Sequence, residues 1–287
     1  MEKGQELEKQ SKWAEAEVAY RQVIIAEPEN AVGHYNVGRM LATQNKPAEA
    51  EAAFKQAIKL EPGSIYKTYF HAYLGHALLD QNRYAEAEAE LRQGIERHAK
   101  NSLGDFAHLG LGIALLNQQK YADAEASLRM ALAFTRQRAM THYYLGDALV
   151  RQGKWPEGEA EMREAVKLEP NNALMLNGLG YRLVERGEKL DEALQLLERA
   201  VKAEPNNGMI IDSLGWAYFK AGRLAEAERY LTDAVRREPN QAEIHEHVGD
   251  LYQRQGKMNQ ARAAWQAALA RSIEAVQQTR LKAKLSG

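Results

Sequence analysis

Eight glycines recur along this chain at nearly fixed intervals: Gly4, Gly38, Gly75, Gly112, Gly146, Gly180, Gly215 and Gly249, separated by 34, 37, 37, 34, 34, 35 and 34 residues. Each sits in an apolar stretch of helical spacing, where glycine costs about 0.5–1 kcal/mol relative to alanine. A cost kept at every period needs a repeated steric cause, namely a second helix packed too close for a side chain. The surroundings repeat too. Twelve residues beyond stand Ala16, Ala50, Ala87, Ala124, Gly158, Ala227 and Ala261, with Ala193 thirteen away. Four further on the residue is large and apolar: Tyr20, Phe54, Leu91, Leu128, Met162, Leu197, Leu231 and Trp265. Three more return to Val23, Ala57, Gly94, Ala131, Ala165, Ala200, Ala234 and Ala268. Proline closes five of the eight units, at Pro28, Pro62, Pro170, Pro205 and Pro239. Apolar residues recur at three and four within each half-unit, so each unit reads as two helices, A around the glycine and B around the alanine.

The pattern resembles the tetratricopeptide repeat (TPR) family over nearly the whole chain. That resemblance implies an all-α fold, a right-handed superhelical solenoid of helix-turn-helix repeats. The units fall at 1–30, 31–67, 68–104, 105–138, 139–172, 173–207, 208–241 and 242–270, followed by a capping helix at 271–287. Counted back from Pro28, the first unit's helix A is expected to be cut short. Three extra residues precede each of the third and fourth units. Ser64 and Ser102 there are either N-caps of lengthened helices or parts of longer loops. Leu269 to Leu285 can continue as a helix. It carries Arg271, Arg280, Lys282 and Lys284 against Glu274 alone, as suits a polar cap on a solenoid end.

Composition narrows the functional class. With 38 basic and 39 acidic residues the net charge is −1, so no global field favours nucleic acid or an anionic membrane. Cysteine is absent, which removes disulfides, zinc–thiolate sites and thiol nucleophiles. No apolar run approaches the length of a membrane span.

Motifs that carry chemistry are missing as well: no glycine-rich dinucleotide or phosphate loop, no nucleophile elbow and no zinc-protease helix. His245-Glu246-His247 with Asp250 invites a metal reading. Yet residues two apart on a helix point about 200° apart, so the two histidines cannot share an ion from one face. Histidine also stands four before the glycine in five units, at His34, His71, His108, His142 and His245, a place suited to half-buried packing. No cofactor, metal or catalytic group is expected, and the chemistry is that of a surface.

In TPR superhelices helix A lines the concave wall, and the resemblance locates that wall here. The second unit offers Tyr35 and Arg39, the third His76, and the fourth Leu109 and Ile113. Tyr143 and Asp147 follow, then Asn177, Tyr181, Val184 and Glu185, then Asp212, Trp216, Phe219 and Lys220, and last Glu246 and Asp250. Tyr69, Phe106, Met140, Leu174 and Met209, one turn earlier, extend the apolar lining. The wall is expected to be apolar and aromatic through its middle and acidic at its C-terminal end, with part of the set packing neighbouring helices. Trp216, Phe219 and Tyr181 are expected to form a partly exposed patch. Neither a carboxylate clamp nor an asparagine ladder is present, since of the residues two before each glycine only Asn36 is asparagine.

One stretch carries a closer resemblance. Leu176-Asn177-Gly178-Leu179-Gly180-Tyr181-Arg182-Leu183, Ile211-Asp212-Ser213-Leu214-Gly215-Trp216-Ala217-Tyr218 and Arg262-Ala263-Ala264-Trp265 are similar to bacterial cell-envelope TPR lipoproteins. These hold a carboxyl-terminal processing protease against its substrates. The similarity covers roughly residues 173–269 and implies a protein partner of that kind and an envelope or periplasmic location, with the cytoplasm the other option. Three functional readings stand: a non-catalytic adaptor binding a partner segment in the groove, a targeting domain of a larger enzyme, and a scaffold that assembles on itself.

Overall fold

The computed structural model describes residues 1–61, 66–96, 104–135 and 138–286. Among them lie seventeen α-helices and no strand. The chain divides into two compact units, Met1–Glu161 and Met162–Gly287. The first holds α1 (Glu2–Lys9), α2 (Trp13–Ala26), α3 (Ala31–Thr43), α4 (Pro47–Leu60), α5 (Lys67–Leu79), α6 (Tyr84–Glu96), α7 (Gly104–Asn117), α8 (Tyr121–Phe134) and α9 (Ala139–Arg151). Helix α10 (Trp155–Leu168) contains the division. The second holds α11 (Ala173–Arg186), α12 (Leu190–Ala203), α13 (Gly208–Lys220), α14 (Leu224–Arg237), α15 (Ala242–Arg254), α16 (Met258–Arg271) and α17 (Ala275–Ser286).

Within each unit every helix packs on the next, and the A helices also meet in series, α3–α5–α7–α9 in the first and α11–α13–α15 in the second. The result is two layers of helices stacked repeat on repeat. The core of the first unit runs through all its repeats, from Tyr20 and Phe54 to Leu91, Leu128 and Leu145.

The repeated glycines are explained by a side chain rather than by a bare helix. A Cβ on Gly180 would lie 2.8 Å from Leu197 Cγ, and one on Gly38 2.6 Å from Phe54 Cε1. The large apolar residue of helix B thus lies directly on the glycine of helix A. Seven residues after each of the eight glycines the backbone turns left-handed, from Ser11 (φ 56°) and Gln119 (φ 61°) to Gly153 (φ 79°) and Gly256 (φ 77°). That residue reverses the chain between A and B. The extra residue in the sixth repeat is absorbed at Lys189, also at positive φ (49°).

The proline turns are capped in one recurring way. Asn30 Oδ1 accepts from the Gly33 amide (2.8 Å), Asn172 from Leu174 (3.0 Å) and Asn207 from Met209 (3.1 Å). The carboxylates of Glu27, Glu169 and Glu204 hold the three amide groups from three residues back. This satisfies amides that a helix start leaves without partners.

Ser64 and Ser102 lie outside the described residues. One expectation changes. The C-terminal helix is not continuous with the last repeat: α16 ends at Arg271 and α17 begins at Ala275. The Ser272 carbonyl accepts from Gln278 Nε2 (2.7 Å) and its hydroxyl donates to Gln277 Oε1 (2.8 Å), fixing the break. Leu281 then folds back onto Ala261, Trp265 and Ala268, which gives α17 its capping position.

Candidate functional site

In the first unit the expected lining residues mostly bind one A helix to the next. Tyr35 packs its ring against Phe54, Phe70 and Tyr73 at 5.2–6.1 Å, and burial pushes its hydroxyl above the ordinary range. Arg39 pairs with Glu8 (2.8 Å) while its guanidinium covers Tyr35. His76 stacks on Phe106 with 3.7 Å between centroids and hydrogen-bonds the Phe106 carbonyl (3.1 Å). Burial takes its imidazole down to about 4, against the pull of that carbonyl. Leu109 is buried outright, and Ile113 is half-buried. Tyr143 meets Tyr144 edge-on at 5.2 Å, and Asp147 pairs with Arg151 (2.9 Å).

The second unit differs. Asp212, expected in the groove wall, is 3 % exposed and hydrogen-bonds His247 at 2.9 Å. Burial alone would lower the imidazole's pKa, but the Asp212 carboxylate outweighs it and holds it above its ordinary value. Trp216 is only 8 % exposed, stacked on His247 (4.1 Å) and Phe219 (4.7 Å), with its indole N–H donating to Glu185 (2.9 Å). The expected open tryptophan patch is therefore a packed layer. Over it Tyr181 reaches across a whole repeat to donate its hydroxyl to Glu243 (3.0 Å). Asn177 is half-buried on the same helix, and its side-chain oxygen has no hydrogen-bond partner among the described residues.

The acidic C-terminal end is a second correction. Glu246 is 3 % exposed and Asp250 half-buried, and both are neutralised by α17. Arg280 grips Glu246 with two parallel bonds (Nε–Oε1 2.6 Å, Nη2–Oε2 2.7 Å), and Lys284 bridges Glu246 (2.8 Å) and Asp250 (2.6 Å). Asp250 also accepts from the Trp265 indole (2.9 Å). Burial would raise the Glu246 carboxyl, yet these cations carry it down to about 2. The cap the sequence suggested thus also fills the acidic end of the face.

What stays accessible is a cavity of about 230 Å³ lined by Tyr181, Glu185, Trp216, Glu243, Glu246 and α17's Arg280 among others. The apolar row expected one turn before the lining residues is exposed only in the second unit. Tyr69, Phe106 and Met140 of the first unit are half-buried, but Leu174 and Met209, at the same repeat position, are 39 % and 40 % exposed. Glu243 occupies that position in the next repeat. Among the described residues no three His, Asp or Glu side chains form a metal site, and no helix is long and apolar enough to cross a membrane. The five repeated histidines are packing residues, each tied to a neighbour such as Glu90 for His71 (2.6 Å) and Pro239 O for His245 (2.9 Å).

Stacked helix pairs, a glycine under a large side chain in seven of the eight repeats and a left-handed A–B turn in all of them define a helical-repeat interaction protein. The chain belongs to the tetratricopeptide repeat family, whose models match residues 1–65, 74–139 and 143–208, with a second matching 41–104 and 183–246. No curated protein matches the sequence. Among solved structures, a tetratricopeptide repeat protein from Parabacteroides merdae superposes with TM-score 0.67 at 15% identity, covering 93% of this chain and 97% of that one. The Cut9–Hcn1 hetero-tetramer of the APC/C gives TM-score 0.75 at 16% identity over 95% of this chain and 52% of the other. YrrB, described as a TPR protein with an unusual peptide-binding site, gives 0.50 at 19% identity, over 67% of this chain and 96% of that one. At such identities the likeness is one of fold. Proteins of this family typically mediate protein–protein interaction, and the fold is in general a non-catalytic scaffold.

Proposed function

We propose that this protein is a non-catalytic adaptor that holds an extended or helical segment of a partner on the A-helix face of its second unit. The observation that carries the reading is the pair Leu174 and Met209, large, apolar and exposed at one repeat position on α11 and α13, the helices that also carry Tyr181 and Phe219. In the same unit Asp212, His247 and Trp216 form a hydrogen-bonded and stacked layer between α13 and α15. Large apolar side chains exposed at the same position of successive repeats suit a binding face better than scattered exposure does. The similarity of residues 173–269 to envelope adaptors makes a carboxyl-terminal processing protease, or its substrates, the partner to test first. A photo-cross-linking residue at Leu174 or Met209 should capture a partner in the native host, while one at exposed Met130 on α8 should not. Equal capture at all three positions would remove the assignment of this face.

A further inference from the structure

The four most exposed large apolar side chains among the described residues lie at the two ends of the repeat series. Ile273 and Val276, 95 % and 77 % exposed, stand in and just after the turn before α17. Ile25 and Val18, 71 % and 59 % exposed, stand on α2. A missing neighbouring repeat does not account for Ile25. Its position recurs at Lys59, Lys167, Lys202 and Arg236, which are exposed inside the series and charged there. Nor is Ile273 on a loose tail, because Ser272 next to it bonds Gln277 and Gln278. It is a fixed apolar knob facing water.

Beside Ile25 lies a recess of matching kind. A cavity of about 520 Å³ opens between α2 and α4, lined by Ile24, Ile25, Ala52 and Ala53, with the buried Val37 and Leu41 of α3 also in its wall. The repeats show why it is open. His71, His108 and His142 each hydrogen-bond the side chain 19 residues on, Glu90, Ser127 and Glu161. For His34 that residue is Ala53, which is too short to cover the space. The charges around knob and recess are opposite. Residues 1–30 carry seven acidic and four basic side chains, and residues 258–287 one acidic and five basic. Glu27 and Glu29 at the end of α2, and Glu49 in the recess wall, make no ion pair among the described residues, while Arg21 there is taken up by Glu17 (2.7 Å). Near the knob Arg271 and Lys282 likewise make none, and Glu274 is the single acid. We propose that copies of this chain associate head to tail, the Ile273–Val276 knob of one seated in the α2–α4 recess of the next, with Arg271 and Lys282 facing the acidic end of α2. The contact uses neither Leu174 nor Met209 and goes beyond the binding of a partner segment.

Two different surfaces meet in such a contact, so each docked copy still offers one of each kind and association does not stop at two. A contact of a few apolar side chains belongs to the weak class, with a dissociation constant on the order of 100 µM. Light scattering on the full chain, from about tenfold below that value to about tenfold above it, should show a mass that passes two chains. Ile273→Ser and Ile25→Lys should each weaken association about tenfold or more. Both sites are exposed, and lysine already stands at the second in other repeats, so the melting curves should not move. Mixing the two variants supplies one intact recess and one intact knob. The mixture should therefore reach the mass of two chains and go no further. A mass of one chain at every concentration would overturn the proposal, as would association that survives either variant. A mixture that stays unassociated, or one that grows past two chains, would overturn it too. Self-association abolished by Leu174→Ser with Met209→Ser, and untouched by the end variants, would move it to the proposed binding face and end the head-to-tail contact.

Discussion

The Trp216 indole lies nearly parallel to the His247 imidazole, 12° between planes and 4.1 Å between centroids, although 31 residues separate them in sequence. The stack joins α13 to α15 and continues through His247 to Asp212. An aromatic residue that suggests a binding anchor therefore helps to lock one repeat onto the next.

The His247–Asp212 pair makes the second unit sensitive to pH. Because the folded imidazole's pKa is raised, its stabilisation is fully present below the unfolded value near 6.5 and fades as pH rises through the folded value. Unfolding of this unit should be harder at pH 6 than at pH 8.5. Asp212→Asn should remove that slope and cost about 2 kcal/mol at pH 6. A slope that persists in this variant would assign the effect to another group.

Trp216→Ala should destabilise the second unit by about 3–5 kcal/mol, as removal of a packed tryptophan does. Loss of partner binding in that variant would then report unfolding of the face. Substitutions at Leu174 and Met209 should leave the melting curve unchanged and are the cleaner probes of binding. A Trp216→Ala protein of normal stability would restore tryptophan as an exposed anchor.

Much of the fold is legible in local spacing. Gly180 and Leu197 are 17 residues apart and meet because helices A and B of one repeat must, so the sequence period carries the contact. The left-handed turn residues are legible for the same reason. The site was less so, because its decisive contacts cross repeats. Tyr181 meets Glu243 over 62 residues, and Arg280 meets Glu246 over 34 in a helix that follows no repeat rule. Repeat position told which face Asp212 and Glu246 lie on, but not that His247 and α17 would cover them. The basic residues of the tail are opposite in sign to the acidic row; only their angle of return is not written in the period.

The two kinds of glycine should fail differently. Gly180→Leu overpacks against Leu197 and the Ala193 carbonyl, and should cost about 1–3 kcal/mol with its own repeat loosening first. Around Gly153 a Cβ would meet nothing within 4 Å, so Gly153→Ala should cost about 1 kcal/mol through its left-handed backbone alone. Gly153→Asn should cost less, since Asn45 and Asn82 hold the equivalent turn. Equal losses for alanine and asparagine would refute the backbone explanation.

Acid should weaken the first unit through a ladder between repeats. Gln81 and Arg83 reach back to Glu51 (2.8 and 2.6 Å), Gln118 and Lys120 to Glu88 (both 2.8 Å), and Gln152 and Lys154 to Glu125 (2.9 and 2.8 Å). Partial burial would raise these carboxyls, but the donors bring all three down to about 2. With folded values below the unfolded one, the stabilisation is present above about pH 4.5 and is lost as pH falls toward 2. The Glu51→Gln, Glu88→Gln and Glu125→Gln triple variant should be less stable at pH 7 and show a flatter loss between pH 4.5 and 2. An unchanged acid slope would show that the ladder contributes nothing.

Helix α17 should depend on its ion pairs more than on its apolar contact, because Leu281 is its only fully buried residue. Arg280→Ala with Lys284→Ala leaves the Glu246 carboxylate inside the protein with Gln277 as its remaining partner (3.2 Å). Stranding a buried charge costs about 3–5 kcal/mol, and Glu246→Gln in the same background should recover most of that loss by removing the charge. Amide exchange along α17 should rise sharply in the double variant, while that of α11 and α13 should change little. If α17 keeps its protection, Leu281 and its contact with Trp265 hold the helix. The cations would then only shield the acidic face.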